Sequence, residues 1–112
     1  MTAASVHGAA QAAIVVVAVP WAALPAALAD LPPWQGRVVI DATNPLDFSG
    51  GAPTLAIGHT DSAGETVQRL LPEARVVKAF NVITAAYMVQ PHLADGTPDM
   101  FIAGNDAQAK AE

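Results

Sequence analysis

Four short polar or proline signatures follow β-branched runs along the chain: Val19-Pro20-Trp21, Asp41-Ala42-Thr43-Asn44-Pro45, Lys78-Ala79-Phe80-Asn81 and Gly104-Asn105-Asp106. If each run is a strand of one sheet, all four signatures project onto the same rim. Such a rim makes a slot in which backbone groups and small polar side chains hold a planar ring. Asn44 and Asn81 can each offer an amide to a carboxamide or a hydroxyl, and Pro20 and Pro45 supply rigid apolar walls. Each signature also has a plainer reading, because Asn-Pro starts turns and a proline after a strand simply ends it. Recurrence after successive strands favours a shared site. Asp41 either accepts from backbone amides at its strand end or contacts a ligand. Lys78 either reaches a phosphate or acidic substrate or lays its stem along the sheet end with its ammonium in water.

The rest of the chain offers little side-chain chemistry. His7, His59 and His92 stand apart, without metal-ligand spacing or a neighbouring acid. His59 lies in a long rim loop, where substrate contact is the lesser alternative; His7 and His92 read as surface residues. There is no Cys, which removes disulfides, thiolate catalysis and cysteine-based metal sites. No nucleophile elbow, paired-carboxylate or zinc pattern occurs, so neither a catalytic side chain nor a metal site is expected. The Gly-x-Gly-x-x-Gly spacing that lets backbone approach a pyrophosphate at a helix N-terminus is missing too. Gly50-Gly51 sits among turn formers and precedes no helix.

The elements that must position the rim follow from periodicity. Strands are expected at Ala13–Val19, Arg37–Asp41, Arg75–Phe80 and Met100–Ala103. The first is continuously apolar, as a strand covered on both faces should be. Between them, Trp21–Leu31 places Leu24, Leu28 and Leu31 on one helical face, with Pro25 tolerated in the first turn. Ser62-Ala63-Gly64-Glu65 has capping-box spacing before Val67, Leu70 and Leu71, and Pro72 stops that helix. Shorter helices are expected from Ser5 to Gln11, from Ile83 to Val89, and after a cap in Asn105-Asp106-Ala107-Gln108. Strands alternating with helices predict an α/β domain spanning residues 1–112, with a parallel sheet and right-handed crossovers. The long connections 44–61 and 81–99 both leave the carboxyl edge of that sheet, where open α/β folds build their ligand crevice.

Composition bounds the partners. Of 112 residues, 53% are hydrophobic and 13% charged, too apolar for a disordered chain. Net charge is −5 and the five Lys and Arg are scattered, so nucleic-acid binding lacks its electrostatic footprint. Ala13–Leu24 could pass for the apolar core of a signal peptide, but the first basic side chain is Arg37 and Pro20 breaks the run. The run is also short of the ~20 apolar residues of a membrane span. No membrane association is expected, and a cytoplasmic location is.

Taken in order, Val15–Trp21, Val39–Pro45, Leu70–Asn81 and Phe101–Asp106 resemble the NADP oxidoreductases dependent on coenzyme F420, and the last two motifs are similar to the reductase domain of the STEAP ferric reductases. The resemblance implies a Rossmann-type, doubly wound sheet in three α/β/α layers, with NADP(H) as cofactor. It implies hydride transfer to or from a small-molecule redox substrate, either coenzyme F420 or a flavin. Ala18, Val19 and Pro20 would line the nicotinamide-ribose side, Asn44 and Pro45 would follow on the next strand, and Ala79, Phe80 and Asn81 would lie near the nicotinamide and the second substrate. No side-chain acid or base is needed for such a transfer. Relative to that family the chain starts at about the third strand, so a fragment with its first strands and glycine-rich loop missing is expected. The strand at 13–19 would then carry an open edge, through which the chain pairs with a second copy or a completing chain. A non-catalytic α/β module associating through that edge is the alternative function.

Overall fold

A computed structural model describes residues 2–112. In chain order the elements are α1 (Val6–Ala9), β1 (Ile14–Val17), a 3-10 turn (Trp21–Ala23) running into α2 (Leu24–Leu28), β2 (Val38–Asp41), β3 (Leu46–Asp47), β4 (Thr54–Leu55), α3 (Ala63–Leu70), β5 (Arg75–Lys78), α4 (Ala85–Val89) and α5 (Ala107–Ala111). β1, β2 and β5 form one parallel sheet in that order, with Val15 opposite Val39 and Val39 opposite Val76. β3 and β4 make a separate antiparallel hairpin.

Alternation along the parallel strands sends side chains to two faces, and each face has its own cover. On one face Val17, Val39 and Val76 pack with Leu24 of α2, with Val67 and Leu71 from the α3 region, and with Trp34. On the other, Val38 and Val77 pack against Ala109 of α5. Helices on both faces complete the α/β/α arrangement expected from the sequence.

Local chemistry explains the element ends. The Ser62 hydroxyl accepts the Glu65 N–H at 3.2 Å and donates to the Glu65 carboxylate at 2.8 Å, so the expected cap forms. Ser5 caps α1, and Pro25 lies in the first turn of α2. Three expectations need correction. The helix foreseen over Trp21–Leu31 is a 3-10 turn plus five residues of α-helix, because Ala29 is already extended. The cap of α5 is Asp106, whose carboxylate accepts the Ala109 N–H at 2.8 Å, and not Asn105. Met100–Ala103 is no strand: it touches the sheet through a single antiparallel bridge between Ala103 and Lys78. With only Ala103 in reach of Lys78, the neighbouring peptide groups have no ladder to join.

Candidate functional site

The carboxyl ends of β1, β2 and β5 open on one rim, since the three strands run parallel and in register. The rim residues fall into two groups. Asn44, Pro45 and Asn81 line a cavity of about 760 Å³ together with Leu46 and Leu55 of the hairpin and the start of α3. Ala18 and Val19 instead line an apolar cavity of about 450 Å³ beside β1, α1 and α2. Pro20 and Phe80 are exposed on the rim, and Ala79 is buried, donating its N–H to the Asp41 carbonyl. Any ligand contact by Ala79 is therefore a backbone contact.

The larger cavity is rich in amides and nearly neutral in charge. Asn44, Asn81 and Asn105 supply amides, whereas Gln68 spends its own on the Leu71 and Ala74 carbonyls and the Val76 N–H. The carboxylates of Asp61 and Glu65 balance the cations of Arg69 and Lys78. Arg69 bridges Asp61 with two hydrogen bonds. The Arg69 guanidinium, followed by the Ser62 N–H, holds the Asp61 carboxyl below the usual carboxylate range, and Asp61 in turn raises Arg69. Lys78 donates to Asp41 at 3.0 Å and to the Thr43 carbonyl. The structure thus turns away from both readings of Lys78: its ammonium neither points to a phosphate nor sits in water, but is spent on its own sheet. Asp41 is fully buried and accepts from the Thr43 N–H at 2.9 Å and the Thr43 hydroxyl at 2.7 Å, which is the strand-end reading with a cation added. His59 is exposed and lines neither cavity.

Two features escaped sequence reasoning. The β3–β4 hairpin contributes apolar walls from Leu46 and Leu55 that no periodicity announced, its strands being two residues each. Gly104 lets its segment lie flat on the sheet, because a Cβ there would stand 2.8 Å from the Val76 carbonyl. Its position directly after an apolar run was the available signal.

At the larger cavity the described residues offer asparagine amides, apolar walls and balanced charge. They provide no cradle for a pyrophosphate. The N-terminus of α3 is already capped by Ser62 and flanked by the carboxylates of Asp61 and Glu65, which repel phosphate. Among the described residues no group of three or more His, Cys, Asp or Glu could hold a metal ion, and no helix is long and apolar enough to cross a membrane.

Comparison with known proteins points in one direction. Residues 1–45 match the family model described as NADP oxidoreductase, coenzyme F420-dependent. The metalloreductase STEAP3 of Rattus norvegicus is 33% identical over 75 residues, which is 67% of this chain and 14% of the rat protein. A crystal structure from Arthrobacter sp. FB24, described as that of an F420-dependent NADP-reductase, is similar at a TM-score of 0.87 and 45% identity, over 96% of this chain and 51% of that one. A hypothetical protein from Sinorhizobium meliloti follows at a TM-score of 0.79 and 33% identity, over 95% and 51% of the two chains. The chain spans about half the length of these solved relatives.

Proposed function

Since the chain belongs to the coenzyme F420-dependent NADP oxidoreductase family, we propose that it forms the nicotinamide side of an NADP-dependent oxidoreductase. One observation supports the reading: the parallel exits of β2 and β5 bring Asn44, Pro45 and Asn81 to one cavity, while Ala18 and Val19, at the exit of β1 on the same rim, line a separate apolar one. When bound, the reduced nicotinamide supplies the hydride. The chain's own part is to hold that ring by amide hydrogen bonds from Asn44 and Asn81, to wall it with Pro45, and to keep water from the reacting face. The amide-rich, charge-balanced cavity between Asn44, Asn81 and Asn105 suits a neutral heteroaromatic acceptor, and a deazaflavin or flavin ring is the proposed second substrate. A cytoplasmic site of action accords with such chemistry.

NADPH titration of the isotope-labelled chain, followed by amide spectra, tests this. Shifts centred on Asn44, Pro45-adjacent Leu46 and Asn81 are expected. Shifts confined to α1 and β1, or none at millimolar NADPH, would reject the rim as the nicotinamide site.

A second reading has its own support in the free edge of β1. The Val17 carbonyl accepts from Ala42, so residues 15 and 17 turn their peptide groups to β2 while Ile14 and Val16 turn theirs outward. Ile14 and Val16 are 43% and 55% exposed, and no charge guards the strand. We infer that this edge pairs with a second copy of the chain or with a completing chain. Were no NADPH to bind under any condition, association through this edge would be the remaining function.

A further inference from the structure

We propose that Lys78 is the positioning residue of the rim: a clamp that fixes the three ligand-facing loops relative to one another. The inference rests on reading the rim as the cofactor site.

The observation behind it is an ion pair whose presence stability alone does not explain. Asp41 is completely buried and the Lys78 side chain is only 16% exposed. Removing two charges from water costs about as much as their attraction returns, and a packed apolar pair would hold two strands equally well. What an apolar pair cannot do is bind carbonyls. The Lys78 ammonium takes Asp41 at the end of β2 and, beyond the strand, the carbonyl of Thr43. Asp41 meanwhile holds the Thr43 N–H and hydroxyl from the other side. Thr43 is thus gripped at three polar atoms, and the next residues are Asn44 and Pro45, the rim tip of β2.

The same residue ties down the other tips. The Lys78 N–H donates to the Ala103 carbonyl at 2.7 Å and its carbonyl accepts the Ala103 N–H at 3.0 Å, which fixes the segment entering Gly104 and Asn105. Asn81 lies three residues beyond Lys78 on the same strand exit. One side chain and its backbone therefore connect every loop that contributes an asparagine to the larger cavity.

The test compares Lys78→Met with the double variant Lys78→Met/Asp41→Asn in the full 112-residue chain. Met keeps the stem and deletes the ammonium, leaving a buried carboxylate unpaired; the double variant removes that unpaired charge. Three readouts are taken: thermal midpoint, amide exchange, and NADPH affinity from amide shifts. In Lys78→Met, exchange at Thr43 and Leu46 should rise about tenfold or more, the scale of losing a charge-assisted hydrogen bond. Val39 and Val67 should change no more than the global stability does. NADPH affinity should fall by about the same factor. In the double variant the thermal midpoint should recover while the exchange and the affinity do not. If affinity returns together with the thermal midpoint, Lys78 acts only on stability and the clamp is overturned. If exchange at Thr43 and Leu46 responds as expected while NADPH leaves Asn44 and Asn81 of the unmodified chain unperturbed, the clamp stands and the cofactor reading of the rim fails.

Discussion

Phe80 holds a backbone angle that its side chain resists. Its φ is +66°, in the left-handed region where a Cβ crowds the following carbonyl, and its N–H faces the Met100 sulfur at 3.4 Å. The strain turns the chain at the end of β5 and leaves the ring at the rim between buried Ala79 and half-buried Asn81. Phe80→Gly should therefore be more stable than Phe80→Ala by about 1 kcal/mol, since only alanine retains the Cβ penalty. Denaturant melts of the two variants measure the difference, and equal stabilities would mean the backbone relaxes. Asn81 beside it is predicted to behave differently. If its amide holds the nicotinamide, Asn81→Ala lowers NADPH affinity, and turnover in the whole enzyme, with little change in thermal midpoint. An unchanged affinity with a drop of several degrees would favour the turn-forming role of Asn81.

Within α3, cap and ion pair act together. Ser62→Ala removes the acceptor of the Glu65 N–H and should cost about 1 kcal/mol in a denaturant melt. Just before the cap, Asp61 is held below the ordinary carboxylate range by Arg69 and then by the Ser62 N–H. A carboxyl whose folded pKa is depressed stabilises the fold above its unfolded value, near ~3.9, and loses that effect as pH falls through the folded pKa. Asp61 and Arg69 are solvent-facing, so the effect is small and screened by salt. In Arg69→Met the Asp61 carboxyl should titrate closer to an ordinary aspartate, a shift that side-chain carboxyl resonances report directly. An unmoved titration would assign the depression to the Ser62 N–H alone.

Across the whole molecule, the two ends of the sheet are unequal. β5 is bridged by Ala103 and packed by α3 and α5, whereas the outer side of β1 faces an apolar cavity of about 450 Å³. Sedimentation of the chain at micromolar concentration is expected to show self-association, and Val16→Lys should weaken it by placing a charge on the exposed edge. Val16 is 55% exposed, so the variant is expected to fold. A monomer with slowly exchanging amides at Ile14 and Val16 would show that the outer edge of β1 is already covered. With no cradle for the pyrophosphate among the described residues, NADPH binding to this chain is predicted to be weaker than micromolar, because the charge-assisted phosphate contacts are lacking. Calorimetry giving micromolar or tighter binding would refute that.

The sequence by itself determined the local elements and the order of the rim. Ile14–Val17, Val38–Ile40 and Val76–Val77 are β-branched runs that have few alternatives to strand, and Ser62 with Glu65 carries its cap in four consecutive residues. Alternation of such strands with helices was enough for a parallel sheet, and hence for one shared rim. Only the tertiary structure decided what the ionisable residues do. Asp41 and Lys78 are 37 residues apart, and nothing local to either distinguishes a ligand contact from a mutual one. The parallel register between β2 and β5 sets them opposite each other on the face covered by α3, away from water, where a charge must find a partner. The same holds for Met100–Ala103, a strand by composition that becomes a single bridge because pairing depends on the neighbour's reach as well as on propensity.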